Sequence, residues 1–210
     1  MHKLLIFDFD GVLADTLDDM LRYAEEVCSQ LGHPCKPTKG DLDAVERMEF
    51  DEFARQLKLP EEKIKDFTRR NFELFTSRQQ PLKIFDGIRD VVAQLSATSK
   101  IGIVTGNASE VVWDFLDYYG LTEYVDIVLG ADDSGSRSEK ILKAADSIGE
   151  PGGEIYMVGD AASDIRAARR ASVKSVAVTW GHQSREKLEV AQPDCLVHSP
   201  EGLLQLLDGA

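Results

Sequence analysis

The chain has 210 residues, enough for one large α/β domain or a core carrying a small inserted one. Its 24 basic residues against 37 acidic ones leave a net charge of −13, which argues against a nucleic-acid binder needing a basic face for phosphate. With 43% hydrophobic and 29% charged residues it is not a disordered chain, and a phosphorylated small molecule remains a possible substrate if a cation neutralises the site locally.

In chain order, KLLIF at 3–7 is a continuous apolar run, the pattern of a strand buried on both faces of a parallel sheet. It is too short for a signal peptide or a membrane span, and no other segment reaches about 18 apolar residues, so a cytoplasmic protein without membrane contact is expected. Residues 16–80 are helical in pattern. A helix over 17–31 stops at Gly32, and further apolar periodicity covers 51–57 and 61–75, the latter opened by Pro60. Strand-like runs then recur at 101–105, 125–129, 154–159, 174–180 and 194–198. Amphipathic stretches separate them, with Ile88, Val91, Val92 and Leu95 in one, Val111, Val112, Phe115, Leu116 and Tyr119 in the next, and Ile141, Leu142, Ala145 and Ile148 before Gly149. This alternation predicts right-handed βαβ crossovers and a doubly wound parallel sheet. The expected organisation is an α/β core over 1–15 and 81–210, with a helical insert over 16–80 above the carboxyl ends of the strands. The thiols of Cys28, Cys35 and Cys195, odd in number, do not read as a disulfide framework.

The chemistry-bearing residues cluster at strand ends. Asp8 and Asp10 lie two apart where the first strand finishes, so both can face one pocket. Two carboxylates buried together need a positive partner, and a hard divalent cation with oxygen ligands, such as Mg²⁺, is the natural one. Gly11 permits the turn out of the strand. Taken alone, D-x-D is as well read as a polar loop. Thr105-Gly106-Asn107 follows the next run and could bind phosphate at a helix N-terminus, although it is also ordinary turn chemistry. Arg137 and Lys140 could supply a cation. Gly159-Asp160 and Asp164 put two acids four apart at a strand-to-helix junction, a spacing suited to metal binding.

The four elements in this order resemble the haloacid dehalogenase (HAD) superfamily of Mg²⁺-dependent phosphotransferases. DFDGVLADT is similar to its first motif, D-x-D-G-[TV]-[LV]-x-D-[ST]; Thr105 stands where its second has Ser or Thr; and GDAASD matches its fourth, G-D-x-x-x-D. The helical insert occupies the position of the family's C1 cap, and the segment from VKSVAVTWGHQS onward resembles the ending of phosphoglycolate phosphatase-like members. The third motif departs from the pattern, because GSRSEK has no Lys-Pro. Arg137 lies twelve residues before Gly149, close to the family spacing, and is favoured on that count over Lys140, which stays an alternative.

The resemblance implies a Rossmann-like HAD core with an α-helical cap. It also implies a phosphatase acting on a small phosphorylated metabolite, a phosphoglycolate-type phosphomonoester. Asp8 is then the nucleophile that forms an aspartyl-phosphate, and Asp10 the acid and base. Thr105, Gly106 and Asn107 hold phosphoryl oxygens. Mg²⁺ is held by Asp8, the Asp10 backbone carbonyl and Asp160, with Asp164 in support. The cap segment DAVERMEF offers Glu46, Arg47 and Met48 as substrate contacts. A monomer or homodimer is expected. Two alternatives stand beside this reading: a β-phosphoglucomutase-like phosphotransferase with the same core chemistry, and a phospho-receiver module, which also pairs acids, Mg²⁺, a Thr and a Lys on an α/β sheet but is labelled without turning over.

Overall fold

The computed structural model describes residues 3–148 and 153–208, with side chains to residue 205. After β1 (Lys3–Phe7) and the two-residue strand β2 (Ala14–Asp15), four helices follow: α1 (Leu17–Gln30), α2 (Lys39–Ala44), α3 (Phe50–Gln56) and α4 (Glu61–Thr76). The chain returns through β3 (Lys83–Ile84), which pairs antiparallel with β2. Alternation then sets in: α5 (Ile88–Ser96), β4 (Ser99–Val104), α6 (Ser109–Tyr118), β5 (Ile127–Leu129), α7 (Arg137–Ile148), β6 (Ile155–Gly159), α8 (Ala162–Ala171), β7 (Lys174–Val178), α9 (Arg185–Ala191), β8 (Cys195–Val197) and α10 (Gly202–Asp208).

The six longer strands form one parallel sheet in the order β5-β4-β1-β6-β7-β8. All six expected strands are present, and the doubly wound α/β core is as expected. Gly149, the residue expected to end α7, lies outside the described residues. The short α2 and the β2–β3 pair were not expected. With one buried residue, Leu42, α2 carries no helical periodicity, and a capping box between Thr38 and Asp41 starts it instead.

Strand β1 shows why its run is apolar throughout. Leu5 and Phe7 pack on one face of the sheet with Val91, Val112 and Phe115. Leu4 and Ile6 pack on the other with Ile141, Ala144, Ala167 and Ala168. Each Leu, Ile, Val or Phe among them, fully buried, contributes roughly 1.5–3 kcal/mol. Helices α1 to α4 pack around a separate cluster that includes Ala24, Val27, Cys28, Leu42, Phe53 and Phe67.

The chain runs outward from β1 through β4 and β5 on one side, then resumes on the other at β6. The strand order thus reverses at β1. Open α/β sheets bind ligands at the carboxyl edge beside such a switch point.

Candidate active site

Strand register sets the height of every polar group at this edge. Phe7 pairs with Ile103 on one neighbour and with Val158 on the other. The residues that follow, Asp8, Thr105 and Asp160, therefore emerge together. The Asp8 amide continues the ladder by donating to the Val158 carbonyl at 2.8 Å. Phe9 turns the opposite way. It is fully buried and meets Phe115 edge-to-face, ring centroids 4.9 Å apart, which anchors the two flanking aspartates on the open side.

Gly11 makes the turn that follows, at φ +78°. A Cβ there would stand 2.0 Å from Asp160 Oδ2 and 2.7 Å from His182 Nδ1, so the loop's backbone approaches closer than a side chain permits. Gly181 does the same from the other side, where a Cβ would lie 2.4 Å from Asp160.

Arg137, the first residue of α7, places its Nη1 2.8 Å from Asp8 Oδ2 and 2.7 Å from Asp164 Oδ1. Asp164 spends its other oxygen on the Ala161 amide, 3.1 Å away, and so caps α8 as well. Asp164 thus serves helix α8 and meets Arg137 at the same time. Lys140 is one turn further along α7 and points elsewhere. Its Nζ donates to the Gly130 carbonyl at 2.5 Å, so of the two candidate third-motif cations Arg137 is the one in contact with Asp8 and Asp164.

Burial dominates the electrostatics. It pushes the Asp8 and Asp164 carboxyls up, against the pull of Arg137, and the neighbouring carboxylates add to the rise. Burial alone would weaken the Arg137 charge, but Asp164 and Asp8 outweigh it and hold the guanidinium protonated. Burial and the Asp8 charge push Asp10 up to about 6, against His182, Thr16 and Asn107. Asn107 Nδ2 donates to Asp10 Oδ2 at 3.3 Å, while Asp10 Oδ1 is buried and makes no hydrogen bond of regular geometry.

Thr105 is buried, and its hydroxyl accepts the Asn107 amide at 3.0 Å, so that amide is already engaged while the Thr105 hydroxyl proton stays available. Gly106 and Asn107 line the cavity described next.

His182 is a site residue that was not anticipated. It lies just past β7 on the same sheet edge and is buried. Its Nδ1 is 3.0 Å from Asp160 Oδ2, to which its amide also donates at 2.7 Å, and its Nε2 is 3.3 Å from the Thr16 hydroxyl. Burial would lower the imidazole's pKa, but Asp160, Asp10 and Asp8 raise it above the usual value. A lone histidine after a strand carries no motif. Only its position at a strand's carboxyl end marked it.

A cavity of about 360 Å³ opens over these groups, between the sheet edge and the helices α1 to α4. Asp8, Asp10, Asp160, Arg137 and His182 line its floor; Met20, Met48, Phe50, Phe53, Phe72 and Phe75 line its helical side. Of the three contacts expected from the DAVERMEF segment, Met48 lines the cavity. Glu46 instead pairs with Arg166 at 3.1 Å, and Arg47 with Glu52 at 2.5 Å.

The donor set suits a hard divalent cation. Oxygens of Asp8, Asp160 and Asp164, all buried, lie within 4.8 Å of one another. With Asp10 they make four clustered carboxylates against the one guanidinium of Arg137. Oxygen-only ligands of this kind match Mg²⁺.

A model of the haloacid dehalogenase-like hydrolase family matches residues 5–178. The chain belongs to that family of hydrolases, as its motifs led one to expect. It is similar to the phosphoglycolate phosphatase of Xanthomonas campestris pv. campestris, with 31% identity over 96% of this chain and 94% of the relative. It is also similar to that of Synechococcus elongatus, with 27% identity over 97% and 96%. The solved structure of a haloacid dehalogenase-like hydrolase from Streptococcus pneumoniae superposes on 98% of both chains with a TM-score of 0.84 at 20% identity, a likeness of fold. No described helix is long and apolar enough to cross a membrane.

Proposed function

We propose that this chain, a phosphoric monoester hydrolase by its family and its relatives, is a Mg²⁺-dependent phosphatase that hydrolyses a small phosphorylated metabolite through an aspartyl-phosphate on Asp8. The phosphoglycolate phosphatases among its relatives support the phosphomonoester class. The observation that carries the reading is the difference between the two neighbouring aspartates. Asp8 is buried and turned to Arg137, while Asp10 lies beside it with one unengaged oxygen and a carboxyl pushed up to about 6.

In the first step an Asp8 oxygen attacks phosphorus. The P–O bond to the substrate alcohol breaks as the bond to Asp8 forms, and Asp10 gives its proton to the leaving oxygen. A carboxyl near pH 6 is matched to that exchange at neutral pH. In the second step a water attacks the same phosphorus, Asp10 takes back a proton, and the Asp8–phosphorus bond breaks to release inorganic phosphate. Arg137 holds Asp8 in place and offsets negative charge developing on the phosphoryl group. The Thr105 hydroxyl and the Gly106 amide orient the phosphoryl oxygens. His182, paired with Asp160 and Thr16, fixes Asp160 against the turn at Gly11.

Mg²⁺ would be held by Asp8, the Asp10 backbone carbonyl and Asp160, with Asp164 in support, and would supply charge neutralisation for the phosphate. Helices α1 to α4 serve as a cap that excludes water during the first step. The test is a phosphometabolite panel, phosphoglycolate included, assayed with Mg²⁺, with Ca²⁺ and with chelator. Turnover with Mg²⁺ alone is expected, because Ca²⁺ takes more ligands in looser geometry. Full activity in chelator overturns the metal assignment.

A further inference from the structure

The two sides of the cavity differ in chemistry, and the helical side is unlike a site for a carboxylate. Its wall is made of Phe50, Phe53, Phe72 and Phe75 with Met20 and Met48. Among the described residues, the only arginine or lysine lining the cavity is Arg137, and Asp8 and Asp164 already engage it. His182, the other basic group, is committed to Asp160. The polar groups on the helical side are Glu49, Asp51 and Thr68. The two acids have arginine partners outside the cavity, Arg47 at 3.4 Å and Arg55 at 2.7 Å, and they offer nothing to a second anion. Arg78 lies within the field of Asp10 but does not line the cavity; its Nη1 donates to the Phe75 carbonyl and its Nε is buried without a partner.

Among the described residues lining the helical side, Thr68 is the one polar group that is unspent. Its Oγ1 is buried in the cavity wall and has no hydrogen-bond partner. Helical threonines commonly turn the hydroxyl back to the preceding turn. Thr76 in the same helix does so, donating to Phe72 and Glu73 carbonyls at 3.0 and 3.1 Å. A buried hydroxyl left free on an aromatic wall is a handle for something that enters the cavity. The volume of about 360 Å³ falls within the range of sites that hold ring-sized ligands, roughly 300–1,000 Å³, well beyond a two-carbon acid.

We propose that the leaving group of the substrate is an uncharged, ring-sized apolar alcohol with one hydrogen-bonding substituent for Thr68, and that short carboxylate-bearing phosphomonoesters such as phosphoglycolate are poor substrates. The inference rests on the phosphatase reading and adds to it the substrate class. Aromatic rings and thioethers favour a flat apolar guest. A carboxylate would enter a chamber that already holds several acids and whose one lining arginine is already paired.

The test is a kcat/KM series on the wild-type protein with Mg²⁺. The members are ethyl phosphate, 2-phenylethyl phosphate, 2-(4-hydroxyphenyl)ethyl phosphate and phosphoglycolate, all esters of primary alcohols, so leaving-group reactivity varies little between them. Phenylethyl phosphate should exceed ethyl phosphate by at least about tenfold, the effect of apolar increments in a hydrophobic pocket. The hydroxyphenyl member should gain a further several-fold, and Thr68→Val should erase that increment, so that the hydroxyphenyl and phenylethyl members are turned over at about the same rate by the variant. Phosphoglycolate should rank last, and Phe72→Lys should raise it while lowering phenylethyl phosphate. Phosphoglycolate ranking first in the wild type overturns this inference and leaves the phosphatase reading standing. Turnover of no member overturns the phosphatase reading, and this inference with it.

Discussion

The floor and the helical side of the cavity are built on opposite terms. On the floor, four carboxylates, a guanidinium and an imidazole sit at strand ends and at the starts of α7 and α8, along one edge of the sheet. On the helical side, aromatic and thioether side chains come from helices held together by their own apolar cluster. The phosphoryl group is common to every substrate of such chemistry, so its partners need fixed residue types at fixed places. The leaving group varies, and an apolar wall tolerates exchange of one hydrophobic residue for another.

The hardest test of the floor separates its two aspartates. Asp8→Asn removes the nucleophile and should abolish turnover on every phosphomonoester. Asp10→Asn should lower it by about 10²–10⁴-fold, the usual worth of general acid–base catalysis. With an aryl phosphate, whose oxide leaves with little protonation, Asp10→Asn should accumulate phosphorylated enzyme, visible as added mass in intact-protein mass spectrometry. Asp8→Asn should never gain that mass. Phosphate mapped to another residue ends the mechanism.

Next in size is the cation. Arg137→Ala should lower kcat by about 10²–10³-fold, in line with the loss of one preorganised charge. Lys140→Ala should barely change kcat, but it frees a buried carbonyl at Gly130 and should lower the melting temperature instead. Arg137→Lys tests whether a point charge can span both Asp8 and Asp164 as the guanidinium does. The reverse ranking of the two alanine variants would reassign the third-motif role.

The same contrast governs what could be read without a structure. Asp8, Asp10, Thr105, Asp160 and Asp164 were legible because each follows an apolar run, and parallel strands deliver their ends to one edge. Arg137 and Lys140 differ by three positions on a helix, and only the start of α7 at Arg137 decides which one faces the acids. Phe67 packs in the helical cluster, Phe72 lines the cavity and Phe53 does both, yet all belong to ordinary apolar periodicity. Periodicity tells that a helix has an apolar face but not whether that face meets side chains or a ligand.

A smaller effect follows from the raised carboxyls. Asp8, Asp10 and Asp164 bind protons more tightly in the folded chain than in the unfolded one. The metal-free protein should therefore lose stability as pH rises through these values, which for Asp10 means about 6. Mg²⁺ competes with those protons. Its stabilisation should be large at pH 7.5, about 2.7 kcal/mol at a hundred times its Kd, and should shrink at pH 5. Thermal unfolding with Mg²⁺ and with chelator at both pH values measures it. An Mg²⁺ shift that is equal at both pH values would show that the metal does not bind at these carboxylates.

The smallest effects concern what holds the two sides together, and here burial again separates strong from weak. Gln183 is 1% exposed and bridges them: its Oε1 accepts the Ala162 amide at 2.8 Å, and its Nε2 donates to the Val45 carbonyl at 3.0 Å. Arg166 and Glu46 also span the gap, at 3.1 Å, but their side chains are 36% and 72% exposed. Truncating Gln183 leaves the Ala162 N–H, at a helix terminus, without a partner away from water, at about 1–3 kcal/mol, while the Val45 carbonyl keeps the Lys187 ammonium. An exposed ion pair is worth about 0–1 kcal/mol, because water and salt screen it and two long side chains must be ordered to form it. At roughly 2–4 °C per kcal/mol for a chain of this size, Gln183→Ala should lower the melting temperature by several degrees and Arg166→Ala by about four at most. The loosened Val45 segment lines the cavity, so Gln183→Ala should also raise KM more than it lowers kcat. Equal shifts for the two variants would mean that the helical side is held by surface charge, and that its fit over the floor depends on salt concentration.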